Sequence, residues 1–201
     1  MPIQLPSPSQ KGGMPLEEAI ARRRSIRDFT PQPISQLQLS QILWAAQGIT
    51  DTLGRYRAVP SAGPTYPLEI FVVCGTNGVE EIDAGIYHYN IASHSLSRHC
   101  EGDVRLALAR AARDEEGIYG APVDIVICAL YERTLGRYGS RGERYVHMEV
   151  GHTGQNIYLQ ATALGLATFA IGAFDDELVR EVLRLDKRYK PLYIMPVGKP
   201  A

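Results

Sequence analysis

Arg22-Arg23-Arg24-Ser25-Ile26-Arg27 places four guanidiniums and a hydroxyl within six residues. Forked, planar donors grip phosphate or carboxylate oxygens two at a time, and a hydroxyl adds a neutral donor. Taken alone, the run reads as a solvated basic helix end that complements the helix dipole. Pro60-Ser61-Ala62-Gly63-Pro64 is a second candidate, because small residues let backbone groups approach a flat ligand closely. Alone it reads as an ordinary Pro/Gly loop. The third is Phe169-Ala170-Ile171-Gly172-Ala173-Phe174-Asp175-Asp176, where a strand ends in glycine and a helix begins at an aspartate. Strand ends of this kind often meet ligands through main-chain groups, and a plain strand-to-helix turn is the other reading.

Other chemistries lack their residues. His147 and His152 are five apart and do not share a helix face, and there is no H-E-x-x-H, so no metal site is expected. G-x-S-x-G, the P-loop motif and G-x-G-x-x-G are all missing, which removes the usual signs of an α/β-hydrolase, a P-loop nucleotidase and a Rossmann dinucleotide site. Cys74, Cys100 and Cys128 are odd in number and have no C-x-x-C spacing. They suit reduced thiols in a cytoplasmic protein better than a disulfide framework or a zinc site.

These residues need elements to hold them. A helix is expected from Pro15 through the arginines, with Glu17 and Glu18 at its start and Pro31 and Pro33 beyond its end. Ser35 should cap a second helix that ends at Gly48. The segment 50–67 lacks periodicity and reads as a long functional loop. Strands are expected at 68–75, 85–90 and 94–100, the last two as a hairpin, followed by a helix at 103–113. The apolar run 122–131 suits a strand buried on both faces. A polar stretch then leads to a long helix from about Gly142 to Leu164. Its interior Gly151 and Gly154 each cost about 1 kcal/mol against alanine, which suggests a close approach by another helix or a ligand. A strand at 166–173, a short helix capped by Asp175 and a strand at 191–198 complete an α+β pattern: one mixed sheet covered by helices.

The chain has 201 residues, 45% of them hydrophobic, with a formal net charge of −1, so disorder and a generally basic nucleic-acid binder are both excluded. No stretch is long and apolar enough for a membrane span. Seventeen of the 21 basic residues are arginine. Residues 1–14 read as a flexible lead, and 15–201 as one domain.

In order and together, RRRSIRDF, PSAGPTYPLEIFVV, GIYHYNIASHSL, RYGSRGERYVHMEVGHTGQNIYLQATALGLATFAIGAFDD and YIMPVGKP resemble the nitroreductase family of flavoproteins. More narrowly, they resemble its SagB-type dehydrogenase branch. The resemblance runs from about Leu16 to Pro200. It implies a three-layer fold with a central mixed, mainly antiparallel sheet flanked by helices. It also implies a homodimer with FMN at the subunit interface. On that resemblance Arg23, Arg24, Ser25 and Arg27 would hold the FMN phosphate and ribityl chain. Pro60, Ser61, Ala62 and Gly63 would reach the flavin from the other subunit, and Ala170, Ile171 and Gly172 would lie along the isoalloxazine ring. Many relatives carry a further basic residue beyond the VG-x-P turn, and here Lys199 is the candidate.

The implied activity is hydride transfer from NAD(P)H to bound FMN, then reduction of a small acceptor in a ping-pong cycle. The alternatives are a SagB-like dehydrogenase oxidising a peptide or small metabolite, and a flavin-binding module without turnover. Where azoline-oxidising members have Lys-Tyr, this chain has Arg137-Tyr138. An arginine with a pKa above about 12 is a poor general base. Tyr138 is the catalytic candidate that remains.

Overall fold

The computed structural model describes residues 2–201. In chain order the elements are Ile3–Gln4 (β1), Leu16–Arg22 (α1), Gln36–Gln47 (α2), Leu68–Cys74 (β2), Gly85–Asn90 (β3), Ser95–Glu101 (β4), Arg105–Ala111 (α3), Glu116–Gly120 (α4), Val123–Ala129 (β5), Glu132–Tyr138 (α5), Gly142–Ala163 (α6), Ala167–Thr168 (β6), Asp176–Val182 (α7) and Lys190–Gly198 (β7). The seven strands form one sheet in the order β1-β4-β3-β2-β5-β7-β6. Every strand pair is antiparallel. The only parallel pairing among the described residues is an isolated bridge, Ile34 to Val79, so the sheet is less mixed than the sequence pattern suggests.

Period-two alternation along β2 divides the core. Leu68, Ile70, Val72 and Cys74 face Leu39, Ile42 and Leu43 of α2 and Val146, Val150 and Ile157 of α6. Phe71 and Val73 face Leu108 of α3, Ile118 of α4 and Val179 of α7. Helices therefore cover both faces of an antiparallel sheet, the three-layer α+β arrangement. No helix among the described residues is long and apolar enough to cross a membrane.

Within the lead, Ile3 and Gln4 pair with β4 and Leu5 is buried in the core. The burial of Leu5 gives the edge pairing an apolar anchor that the Pro/Ser-rich composition hides. Several local expectations are corrected. α1 stops at Arg22, so Arg23–Arg27 are extended rather than helical. The polar stretch after β5 is not a bare lead-in but contains α5. The strand expected at 166–173 shortens to β6 plus a bridge from Ile171 to Ile194. Ser35 does form a capping box with Gln38. Gly48 follows α2 as expected but has φ −63°, so no left-handed turn requires it. Glycine is needed there because a Cβ would collide with Trp44.

Candidate active site

The arginine run becomes a site because its backbone leaves the helix. Arg23 turns to φ −50°, ψ 125°, and the chain then runs beside β6, with Ile26 N donating to Thr168 O at 3.1 Å. Ser25 Oγ lies 2.9 Å from Tyr158 Oη. Tyr158 Oη in turn accepts from Ala170 N at 2.8 Å. Arg23 lies over the Tyr158 ring and Arg27 over the Phe169 ring, at 5.2 and 5.0 Å. Further on, Thr30 N donates to Lys199 O at 2.9 Å. The structure thus brings Arg23, Ser25, Arg27, Ala170 and Lys199 to one region, with Arg24 between them in sequence.

The charge of this region is largely unspent. Arg22 pairs with Glu18 at 2.6 Å. Arg23, Arg24, Arg27 and Lys199 have no carboxylate within 4.0 Å among the described residues. Arg24 donates only to the nearby carbonyls of Ala21 and Arg23, and Lys199 Nζ only to Gln32 Oε1 at 3.1 Å. Ile171 exchanges two backbone hydrogen bonds with Ile194, at 2.9 and 3.0 Å, while Gly172 is exposed. A pinned strand end thus presents bare backbone next to a cluster of unpaired cations.

The second group is built around the Ser61 loop. Ser61 Oγ accepts from Tyr66 N at 2.9 Å, which closes the loop on itself. Gly63 has φ +57°, the left-handed region that favours glycine, and a Cβ there would overlap the Tyr138 hydroxyl. Arg137 Nη1 donates to Gly63 O at 3.0 Å. α5 therefore seats Arg137-Tyr138 against this loop, while Pro60 is exposed at its start. Close by, Gln47 Nε2 donates to Thr153 Oγ1 and Arg57 Nη1 donates to Gln47 Oε1, both at 3.1 Å. The buried Glu149 carboxyl is pushed up to about 7 by desolvation, against the pull of Ser61, Arg57 and Gln47.

α6 separates the two groups. Thr153 and Glu149 face the loop group, and Tyr158 faces the arginine group. Glu149 and Tyr158 are nine residues apart, about two and a half turns and roughly 13 Å along the axis, so they point to opposite sides of the helix. No hydrogen bond, ion pair or ring contact joins the two groups directly among the described residues.

Tyr158, Glu149 and Arg57 carry much of this geometry, and the sequence reading missed them. A lone tyrosine or glutamate in a long helix has no spacing signal. Only the pairing of Ala170 and Ser25 through one hydroxyl reveals Tyr158. Gly154, noted as an interior glycine, lies 3.3 Å from the Tyr193 ring by its would-be Cβ, whereas Gly151 has nothing within 4 Å.

A profile described as the Nitroreductase family matches residues 20–199. The chain is also 48% identical over 200 residues to MJ1384, a nitroreductase-type protein of Methanocaldococcus jannaschii, covering 99% of this chain and 96% of the relative. The chain belongs to the nitroreductase family. Within it, the chain is 30% identical over 146 residues to the microcin B17-processing protein McbC of Escherichia coli, and spans 54% of that protein's length. Among solved structures, a nitroreductase-type protein of Ralstonia eutropha JMP134 superposes with a TM-score of 0.86 at 27% identity, covering 100% of this chain and 90% of the other. The E. coli microcin synthetase McbBCD complex with truncated pro-MccB17 gives a TM-score of 0.80 at 26% identity, covering 98% of this chain and 76% of the matched one. The chain is thus an oxidoreductase-family protein with the nitroreductase fold.

Proposed function

We propose that this chain is an FMN-dependent oxidoreductase, a cytoplasmic homodimer that takes electrons from NAD(P)H and delivers them to a small acceptor in a ping-pong cycle. The observation that carries the reading is the Ser25–Tyr158–Ala170 bracket beside cations that have no carboxylate partner. A phosphate dianion needs such unspent donors, and a flat ring needs exposed small residues beside a fixed strand end.

When bound, FMN supplies the two-electron chemistry that no side chain here provides. The chain's own residues do the rest. Arg23, Arg24, Ser25 and Arg27, with Lys199, hold the phosphate and ribityl end. Ala170, Ile171 and Gly172 present small surface and main-chain donors to the ring, and Tyr158 fixes the distance between the two segments. Pro60, Ser61, Ala62 and Gly63 close the slot from the second copy, which suits their position across α6 from the arginines. Arg144, His147, Met148, Gly151, His152 and Gln155 form an exposed helical stripe on α6. Gly151, open at its centre, suits a helix crossing between copies.

Tyr138, seated over Gly63, supports a second reading, a dehydrogenase that oxidises a peptide or small metabolite. Arg137 stays charged and serves that reading only by positioning. The experiment is anaerobic titration of the purified holoprotein. Loss of the oxidised-flavin band near roughly 450 nm on adding NADH or NADPH supports the reductase. Loss with a metabolite or peptide alone supports the dehydrogenase. A protein that neither carries nor takes up FMN sinks both.

A further inference from the structure

Beyond the Ser61 loop, Tyr66 forms one wall of a cavity of about 500 Å³ whose other walls include Arg57, Glu69, His88, Arg133 and Ala92. Its one carboxylate is already fully used. Arg133 Nη2 meets Glu69 Oε1 at 2.6 Å, and His88 Nε2 meets Glu69 Oε2 at 2.6 Å. Despite burial, these two partners hold Glu69 below the ordinary carboxylate range.

Arg57 has no such partner. Its guanidinium lies over the Tyr66 ring at 4.2 Å and donates to Gln47 Oε1, and no carboxylate lies within 4.0 Å of it among the described residues. A guanidinium offers five N–H donors in a fixed fork, so most of this one is unused. The Glu69 carboxylate also attracts it from beyond 4.0 Å, but the short contacts of Glu69 go to Arg133 and His88, and the Glu149 carboxyl, pushed up to about 7, acts on it more weakly. Burial lowers the Arg57 pKa, as expected for a half-buried cation whose charge is not fully met. Leaving such a charge without a counter-ion is costly unless a ligand supplies one.

We propose that this cavity is a binding site for a monoanionic carboxylate, such as a peptide C-terminus or a small carboxylic acid, with Arg57 as the anchoring fork. Tyr66 holds the guanidinium plane fixed, so a bidentate carboxylate loses little on binding. The single unmet positive charge favours a monoanion. A phosphate dianion would bring excess charge next to the Glu69 carboxylate. The site opens three residues from Gly63, so a ligand anchored by its acid group lies beside the Ser61 loop. The proposal does not rest on the flavin reading and is tested by binding alone.

The test is a ¹H–¹⁵N NMR titration of the protein as purified, with N-acetylglycine, N-acetylglycinamide and inorganic phosphate as probes. N-acetylglycine is expected to give saturable shifts at Asn90 and Ala92, and the amide to bind about tenfold more weakly or not at all. Phosphate should bind no tighter than the acid. Arg57→Gln is expected to weaken acid binding about tenfold, and Ala92→Glu, at an exposed wall residue, several-fold. Equal binding of the amide, tighter binding of phosphate, no saturable shift, or a folded Arg57→Gln with unchanged affinity would each overturn the proposal. Should Arg57→Gln not fold, Ala92→Glu decides: unchanged affinity there rejects it.

Discussion

Ser25 and Tyr158 are 133 positions apart in the chain, yet their hydroxyls meet at 2.9 Å. Because Tyr158 Oη accepts from Ala170 N, its own proton is free for Ser25 Oγ. One side chain thus sets the spacing between the extended arginine segment and the strand end. Tyr158→Phe removes both bonds and leaves the ring under Arg23. Two neutral hydrogen bonds are worth about 1–2 kcal/mol together, so Tm is expected to fall by a few degrees and FMN affinity by up to about five- to thirtyfold. Fluorescence titration of the apoprotein measures it, and an unchanged Kd would show that the bracket does not shape the site.

The unpaired cations should be read by the phosphate and not by the ring. Arg24 makes only local bonds to carbonyls of its own segment, so Arg24→Ala should leave the fold intact. Loss of a charge-assisted contact costs about 1.5–3 kcal/mol. FMN binding is therefore expected to weaken about tenfold or more, while riboflavin, which lacks the phosphate, binds the variant and the parent alike. Equal loss for both ligands would place Arg24 away from the phosphate.

At the other group, Gly63 is constrained twice: by its positive φ and by the Tyr138 hydroxyl and Arg137 guanidinium above it. Gly63→Ala must strain the backbone and displace α5's last turn. A left-handed alanine costs about 1 kcal/mol, so a Tm drop of a few degrees is expected with a larger loss of turnover. Ser61→Ala is the control. It removes the Tyr66 bond without any clash, and is expected to cost less in turnover than Gly63→Ala.

What the sequence made legible follows from what is local. Ser35 announced α2 because capping acts over three residues, and the β-branched and aromatic run at 68–75 announced a strand because that preference too is local. Arg23, Arg24, Ser25 and Arg27 stood out by type, but their extended backbone did not, because it is set by Thr168 far along the chain. The order of strands around β5 is likewise non-local. Tyr158, Glu149 and Arg57 were illegible, since each matters only through partners on other elements. β1 was hidden by its Pro- and Ser-rich surroundings, although Leu5 anchors it in the core.

Asp124 on β5 is fully buried, and neither of its carboxyl oxygens has a hydrogen-bond partner among the described residues. Burial raises its pKa well above the ordinary value, against the pull of Arg105, which is itself committed to Asp103 at 2.7 Å. An unsatisfied buried polar group costs about 1–3 kcal/mol, and Val is well suited to a central strand. Asp124→Val is therefore expected to raise Tm at pH 8, with a smaller gain at pH 4. A drop in Tm at both pH values would mean that the carboxyl has a partner or role that this geometry does not reveal.

Glu149 makes stability fall as pH rises. Its ordinary value is 4.5, and the fold lifts it to about 7, so the folded chain holds a proton that the unfolded chain releases. The native state is thus favoured fully below pH 4.5, loses that advantage between 4.5 and 7, and is flat above it. The linkage is worth up to about 3 kcal/mol. Asp124 acts in the same direction, so the single variant is the informative comparison. Glu149→Gln keeps the shape without the ionisation, and its stability relative to the parent should improve from pH 5 to pH 8 by about 2 kcal/mol, read by urea unfolding at each pH. Because Ser61 sits beside this carboxyl, the parent's turnover is also expected to change through the same pH range and the variant's to stay level. A parent whose stability relative to Glu149→Gln is constant across pH 5–8 would mean that Glu149 is already ionised in the fold.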